Sequence, residues 1–284
     1  MKTIAWIGAG VMGKSMLRNL KKHGYSVFVY NRTLEKIKDL SQEDIIICDN
    51  IQQCVQDADI ICTMVGYPKD VENVYQEIFQ YAKNDVYCID FTTSSPSLAK
   101  SLYKQGKEKG FHLLDAPVSG GDIGAKQATL SIMVGGDEQD YKKMLPIFEC
   151  LGIRISYMGE AGNGQHTKAC NQIAVAGAVA AMSEALVYAK QHHLDMEQML
   201  NAIQGGAAGS WQLTNTAPRV LQKDFQPGFY IHHFIKDMHI IQDETNISLD
   251  MLNTVCKMYE TLASNGEANL GTQALIHYYK KESS

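Results

Sequence analysis

No basic excess marks this sequence: 26 Lys and Arg stand against 31 Asp and Glu, a formal net charge of −5. Nucleic-acid binding rests on phosphate neutralisation by a basic face, and no basic patch is found, so none is expected. Uninterrupted apolar runs are short, none near the ~18 residues of a membrane span, and no membrane association is expected. The seven cysteines, Cys48, Cys54, Cys62, Cys88, Cys150, Cys170 and Cys256, include no C-x-x-C pair. Their odd number and irregular spacing exclude a disulfide framework, and no zinc or thioredoxin-like motif is suggested. His192-His193 and His232-His233 with His239 lack a carboxylate at a recognisable ligand spacing, so no metal is expected and they read as surface or packing histidines. Met1 to Ile7 looks like the opening of a signal peptide, but the apolar stretch is short and Gly8 begins a glycine turn. A reduced, soluble, cytoplasmic protein is expected. Internal repeats and low-complexity tracts are not found, and the polar tail Lys280–Ser284 is expected to fray.

What is present reads as a folded chain. Hydrophobic residues make 45% and charged residues 20% of 284 positions, which suits one large domain or two modest ones. Ile4–Ile7, Val27–Tyr30, Ile45–Cys48, Ile60–Val65 and Val86–Ile89 read as strands separated by helical stretches. That alternation predicts an α/β fold with a parallel sheet covered on both faces. Three further strands are expected at His112–Leu114, Leu130–Val134 and Ile153–Tyr157, with a helix over Glu138–Cys150. The turn-rich stretch Gly159-Glu160-Ala161-Gly162-Asn163-Gly164 ends the rhythm. From Gln165 to Lys190 the chain reads as one helix of ~39 Å. In it Ala174, Gly177, Ala178 and Ala181 would admit a close neighbour. The rest of the chain is helical by pattern. A Rossmann-type domain over residues 1–160 and an all-α domain over residues 161–284, joined by the long helix, is the expected organisation.

Gly8-Ala9-Gly10-Val11-Met12-Gly13 fits G-x-G-x-x-G directly after an N-terminal strand and before a helical stretch, Lys14 to His23. In that context the pattern points to a dinucleotide: Gly8 allows the tight turn, Gly10 the approach of a pyrophosphate, and Gly13 close helix–strand packing. An NAD-preferring site places an acid about 20 residues on, at the end of the second strand. Here Val27-Phe28-Val29-Tyr30 runs into Asn31-Arg32-Thr33, and Glu35 comes later. Arg32 can pair a 2′-phosphate through its planar fork, and Asn31 and Thr33 add neutral hydrogen bonds. NADP is therefore favoured over NAD. Two more loops fall at strand carboxyl ends, Met64 to Pro68 and Asp90 to Pro96, where they serve either as cofactor contacts or as helix caps.

Three further segments, Asp115-Ala116-Pro117-Val118-Ser119-Gly120-Gly121, Gly162-Asn163-Gly164-Gln165-His166-Thr167-Lys168 and Lys236-Asp237, complete a pattern. With the glycine turn, the chain resembles the β-hydroxyacid dehydrogenase family over nearly its whole length. The family includes 3-hydroxyisobutyrate dehydrogenases, tartronate semialdehyde (2-hydroxy-3-oxopropionate) reductases and glyoxylate or succinic semialdehyde reductases. The resemblance implies a Rossmann domain, an all-α domain and an active site in the cleft between them. It implies that Ser119, Gly120 and Gly121 bind a substrate carboxylate and that Lys168 is catalytic. It places Met64, Val65 and Thr93 along the cofactor, Lys236 near its nicotinamide end and Asp237 beside it at the substrate. A homodimer or homotetramer is the implied assembly. Two departures stand out. The family usually has Asn four residues after the lysine, where this chain has Gln172 preceded by Asn171, so either amide is a candidate for the substrate contact. Ala128 precedes Thr129-Leu130 where the family often has Gly.

These residue types suit the chemistry. A Ser-Gly-Gly turn offers a hydroxyl and unobstructed N–H groups to a carboxylate. On a helix, positions 168, 171 and 172 share a face. A lysine with a lowered pKa can take a hydroxyl proton, and in reverse it protonates the forming alkoxide. Trp211 reads equally as a wall of a substrate pocket or as a core residue. The expected function is an NADP-preferring oxidoreductase that interconverts a short 3-hydroxy acid and its semialdehyde. The alternatives are a glyoxylate or succinic semialdehyde reductase and a dinucleotide-binding sensor without catalysis, which would need neither Lys168 nor Ser119. An imine reductase fits less well, because those enzymes generally lack the lysine.

Overall fold

The computed structural model describes residues 2–280. The expected fraying of the tail therefore lies outside the described residues from Lys281 on. Two compact units emerge, Met1–Lys168 and Ala169–Ser284. The division falls after Lys168, inside the long helix.

The β-branched runs of the first unit pair as strands β1 Thr3–Ile7, β2 Ser26–Tyr30, β3 Ile46–Ile47, β4 Ile60–Thr63, β5 Tyr87–Asp90, β6 His112–Asp115, β7 Val118–Ser119, β8 Leu130–Gly136 and β9 Gly152–Tyr157. The order is β3-β2-β1-β4-β5-β6-β8-β7, with β9 on β8. Neighbours from β3 to β6 are parallel, in the 3-2-1-4-5-6 order of a dinucleotide fold. The departure from a parallel sheet is β8, antiparallel to β6 and to the short β7, which the sequence pattern does not announce. Helices α1 Val11–Lys22, α2 Ile51–Val55, α3 Pro68–Tyr81, α4 Pro96–Glu108, α5 Gly121–Gln127 and α6 Glu138–Glu149 cover the sheet. Side chains alternate across a strand, so β1 feeds both layers. Ile4 and Trp6 join Met16, Leu17 and Leu20 of α1. Ala5 and Ile7 join Val71, Tyr75 and Ile78 of α3 on the other side. Burial on both faces explains why these strands read as unbroken apolar runs.

In the second unit the chain is helical. α7 Asn163–Gln191 reaches it from the first unit, and α8 Met196–Gln204, α9 Ala217–Leu221, α10 Ile231–Asp243, α11 Asp250–Leu262 and α12 Ile276–Lys280 follow. Ala176, Val179, Met182 and Leu186 form one buried stripe on α7 and pack in the same core as Phe234, Met238, Val255 and Tyr259. The expected close approach occurs at Gly177, where an added Cβ would meet Met251 Sδ at 3.4 Å, whereas Ala174 and Ala181 are exposed. By length and composition alone α7 could cross a membrane, with a mean hydropathy of 1.4 over 18 residues. It escapes notice as an unbroken apolar run because Ser183, Glu184 and Tyr188 interrupt the stretch. All seven cysteines are free thiols.

Candidate active site

The glycine turn sits at the carboxyl end of β1, beside β4, where the strand order reverses. Gly8 has φ +91°, and an added Cβ would strike the Met64 carbonyl. Gly13 packs on the Gly8 carbonyl, which also accepts the Trp6 indole N–H at 2.8 Å. Gly10 differs: a Cβ there would meet nothing within 4 Å. It is the N-cap of α1, with no side-chain cap and no acid in the first turn. The first N–H groups of α1 are thus left for an anion, and the turn fits a pyrophosphate. Ala9 N donates to Asn31 Oδ1 at 3.0 Å, and Asn31 Nδ2 donates to the Thr33 carbonyl at 2.8 Å. Asn31 therefore ties the glycine turn to the end of β2. Val11 is exposed and Met12 partly buried at the start of α1.

Arg32 projects from that strand end, 86% exposed, with Nη1 3.2 Å from Asp70 Oδ1. The other Asp70 oxygen caps α3 by accepting from Tyr67 N at 3.2 Å. Glu35 lies in a 3-10 helix, Leu34–Glu43, and pairs with Lys38. No acid stands at the end of β2, but α3 brings one to Arg32 from 38 residues away.

The two loops at strand ends act as scaffold and as caps. Asp90 Oδ1 accepts from Thr63 Oγ1 at 2.8 Å and from Thr92 N at 3.0 Å, and Thr92 Oγ1 accepts from Val65 N at 3.0 Å. Burial pushes the Asp90 carboxyl up to about 6, against the pull of its threonine donors. Gln165 then clamps the second loop, donating to the Thr92 carbonyl at 2.7 Å and accepting from Ser94 N at 2.9 Å. Ser95 caps α4 by accepting from Leu98 N, while Thr93 is half-buried beside it. Asp115, at the end of β6, receives Gly162 N at 2.7 Å and Gln165 N at 2.9 Å, one on each oxygen. Burial raises its carboxyl, and those N–H groups oppose the shift. The start of α7 is therefore fixed on a strand end, and Lys168, buried in the second turn of α7, inherits its position. Spacing alone does not single out Asp90, Asp115 or Gln165. The signal that could have found the two aspartates is an acid closing each of two neighbouring strands.

Ser119 ends β7, paired with Ser131 of β8. Gly120 and Gly121 follow at φ +134° and +64°, conformations that favour glycine, and a Cβ on Gly121 would stand in open space. Ala128, where the resemblance leads one to expect Gly, has φ +57°. A residue with a Cβ is strained there, which explains why glycine suits the position.

The second unit carries a chain of polar contacts. Asn171 Nδ2 donates to Gln172 Oε1 at 2.8 Å, and Gln172 Nε2 donates to Asp237 Oδ2 at 2.6 Å. Lys236 Nζ lies 2.9 Å from Asp237 Oδ1, an ion pair 11% and 2% exposed. Both ends of the Gln172 amide are thus engaged within the protein. His233 is pushed down to about 4, first by burial and then by His232 and Lys236. Trp211 is 58% exposed, which corrects the core reading: it is the first residue of a helical turn with its ring in solvent.

Comparison with known proteins agrees with this arrangement. The model of the NAD binding domain of 6-phosphogluconate dehydrogenase matches residues 3–159. The model of the NAD-binding domain of NADP-dependent 3-hydroxyisobutyrate dehydrogenase matches residues 162–279. An uncharacterized oxidoreductase of Bacillus subtilis is 48% identical over 99% of both chains. The 2-hydroxy-3-oxopropionate reductase of Escherichia coli is 35% identical over 96% of this chain and 95% of its own. The structure of 3-hydroxyisobutyrate dehydrogenase from Mycobacterium tuberculosis with L-serine superposes with a TM-score of 0.89, at 29% identity over 98% of both. A Rossmann sheet with a dinucleotide turn, followed by an all-helical unit, defines an NAD(P)-dependent dehydrogenase. The chain belongs to the β-hydroxyacid dehydrogenase family.

Proposed function

We propose that the chain is an NADP-preferring enzyme that interconverts a short 3-hydroxy acid and its semialdehyde, of the 3-hydroxyisobutyrate or 2-hydroxy-3-oxopropionate type. The observation that carries this reading is Lys168, buried on a helix whose first turn is anchored to Asp115. A sensor has no use for a lysine held in that way. Gly8 to Gly13, Asn31, Arg32, Thr33, Met64, Val65, Thr93 and Lys236 hold the cofactor, which when bound exchanges a hydride with the carbinol carbon. Ser119 and the N–H groups of Gly120 and Gly121 hold the carboxylate. Neutral Lys168 takes the hydroxyl proton in oxidation and returns it to the alkoxide in reduction. Gln172, engaged with Asp237 and Asn171, positions those two toward the substrate. A homo-oligomer is the expected assembly.

NADP preference rests on Arg32 and the absent acid at the end of β2. Asp70 moderates it, because its carboxylate shares Arg32 with any 2′-phosphate. Turnover with NADPH and NADH is to be measured on a panel of the semialdehyde of 3-hydroxyisobutyrate, tartronate semialdehyde, glyoxylate and succinic semialdehyde. The highest kcat/KM is expected with NADPH and one of the first two. Best turnover of glyoxylate or succinic semialdehyde moves the chain to the alternative within the family, and no turnover of any supports the sensor. Arg32→Asp should lower the NADPH/NADH ratio of kcat/KM, and an unchanged ratio would refute the role of Arg32. Asp70→Asn should raise the ratio by up to about fivefold, the scale of an exposed ion pair.

A further inference from the structure

We propose that His239, Cys256 and Glu260 form a binding site for a divalent cation of the zinc class, tying α10 to α11. Cys256 and Glu260 are four residues apart on α11 and so share one side of it. His239 approaches from α10, with Nε2 2.7 Å from Glu260 Oε1. Cys256 Sγ lies 3.9 Å from the same oxygen, and the three ligand atoms all fall within 4.8 Å of one another. Imidazole, thiolate and carboxylate together are zinc donors, and the thiolate disfavours magnesium and calcium. Bonds of about 2.0–2.3 Å in a tetrahedron place donors roughly 3.3–3.8 Å apart. Side-chain shifts on the order of 1 Å would therefore enclose a cation.

The surroundings suit such a site. Gln242 Nε2 donates to Asn253 Oδ1 at 2.9 Å, joining the same two helices one turn away and holding their spacing. Cys256 is buried, while His239 and Glu260 are about half exposed, which leaves an entry path and a fourth position for water. His239 is two residues beyond Asp237, so the two side chains leave α10 in different directions. The cation would brace α10 without blocking the Asp237 network. Histidine spacing along the sequence does not reveal this site, because its carboxylate and thiol lie on the next helix.

The test uses the full-length, reduced, tag-free chain after chelator treatment. Cobalt(II) should give a thiolate-to-metal charge-transfer band that saturates at one equivalent and is erased by zinc. Free zinc at about a hundredfold above its Kd should raise Tm by about 5 °C, and magnesium should leave it unchanged. Cys256→Ser should abolish the band. His239→Gln and Glu260→Gln, at exposed positions that spare the fold, should each weaken zinc binding by at least ~10-fold. The proposal is overturned if no band appears. It is equally overturned if His239→Gln and Glu260→Gln leave zinc affinity unchanged, since another cysteine would then be the ligand.

Discussion

Gly8, Gly10, Gly120 and Gly121 serve the first unit through the shape of the main chain. Asn171, Gln172, Lys236 and Asp237 serve the second through side chains that grip one another. In the first unit a glycine turn stays open because the residues around it are packed, as the contrast between Gly10 and its neighbours Gly8 and Gly13 shows. In the second unit a buried carboxylate is tolerable only because an amide and an ammonium surround it. A backbone site fails when an atom is added, whereas a side-chain site fails when a partner is removed.

Lys168 offers the largest effect. Both Lys168→Arg and Lys168→Met should lose kcat by ~10²–10⁴ while still binding NADPH, because arginine keeps the charge but does not release a proton near neutral pH. Arginine within about tenfold of wild type would reduce the lysine to a tether; circular dichroism confirms that both variants fold. Next comes a pair that could break the comparison. Gly13→Ala puts a methyl against the Gly8 carbonyl and should cost about 1–3 kcal/mol of stability, with NADPH affinity falling more than substrate affinity. Gln172→Leu leaves Asp237 Oδ2 without its donor and should cost about 1–3 kcal/mol, raising substrate KM while NADPH affinity holds. Equal losses of both affinities in both variants would dissolve the distinction.

A smaller, pH-dependent effect belongs to His112 in the first unit. Burial pulls its pKa down, but hydrogen bonds to Asp85 and Asp140 outweigh that, and the net shift is upward. The stabilisation is therefore full below the unfolded pKa of about 6.5 and fades as pH rises through the folded value. The Tm gap between wild type and His112→Gln should be wider at pH 6 than at pH 9, and a gap that widens with pH would contradict this linkage. The smallest effect sharpens the backbone side of the comparison. Ala128→Gly relieves a left-handed residue and should stabilise the chain by about 0.5–1 kcal/mol, or roughly 1–3 °C in thermal unfolding. A fall in Tm would show that the position tolerates its Cβ without strain.

The same contrast explains how much is legible in the sequence. The parallel strands and the glycine turn are local signals: β-branched runs buried on both faces, and glycines whose spacing matches the turn. β7 is two residues long and exists only because β8 returns antiparallel beside it. β3 is only Ile46–Ile47, an edge strand paired with β2, although Cys48 N still donates to the Val29 carbonyl at 2.8 Å. Asp70 beside Arg32, Asp115 beneath α7 and Glu260 beside His239 are pairings across distant segments. Each partner alone looks like an ordinary surface or strand-end acid, so the pairing is visible only when the helices and strands are placed.

The chain has two tryptophans, and they divide between the units. Trp6 is fully buried, with its indole N–H on the Gly8 carbonyl, while Trp211 is 58% exposed in the helical unit. The protein thus carries two native optical probes that differ in colour and in access to solutes. Acrylamide should quench the red-shifted emission of Trp211 and spare the blue emission of Trp6. A titration monitored in both bands would then report the phosphate turn and the helical unit separately, without a label.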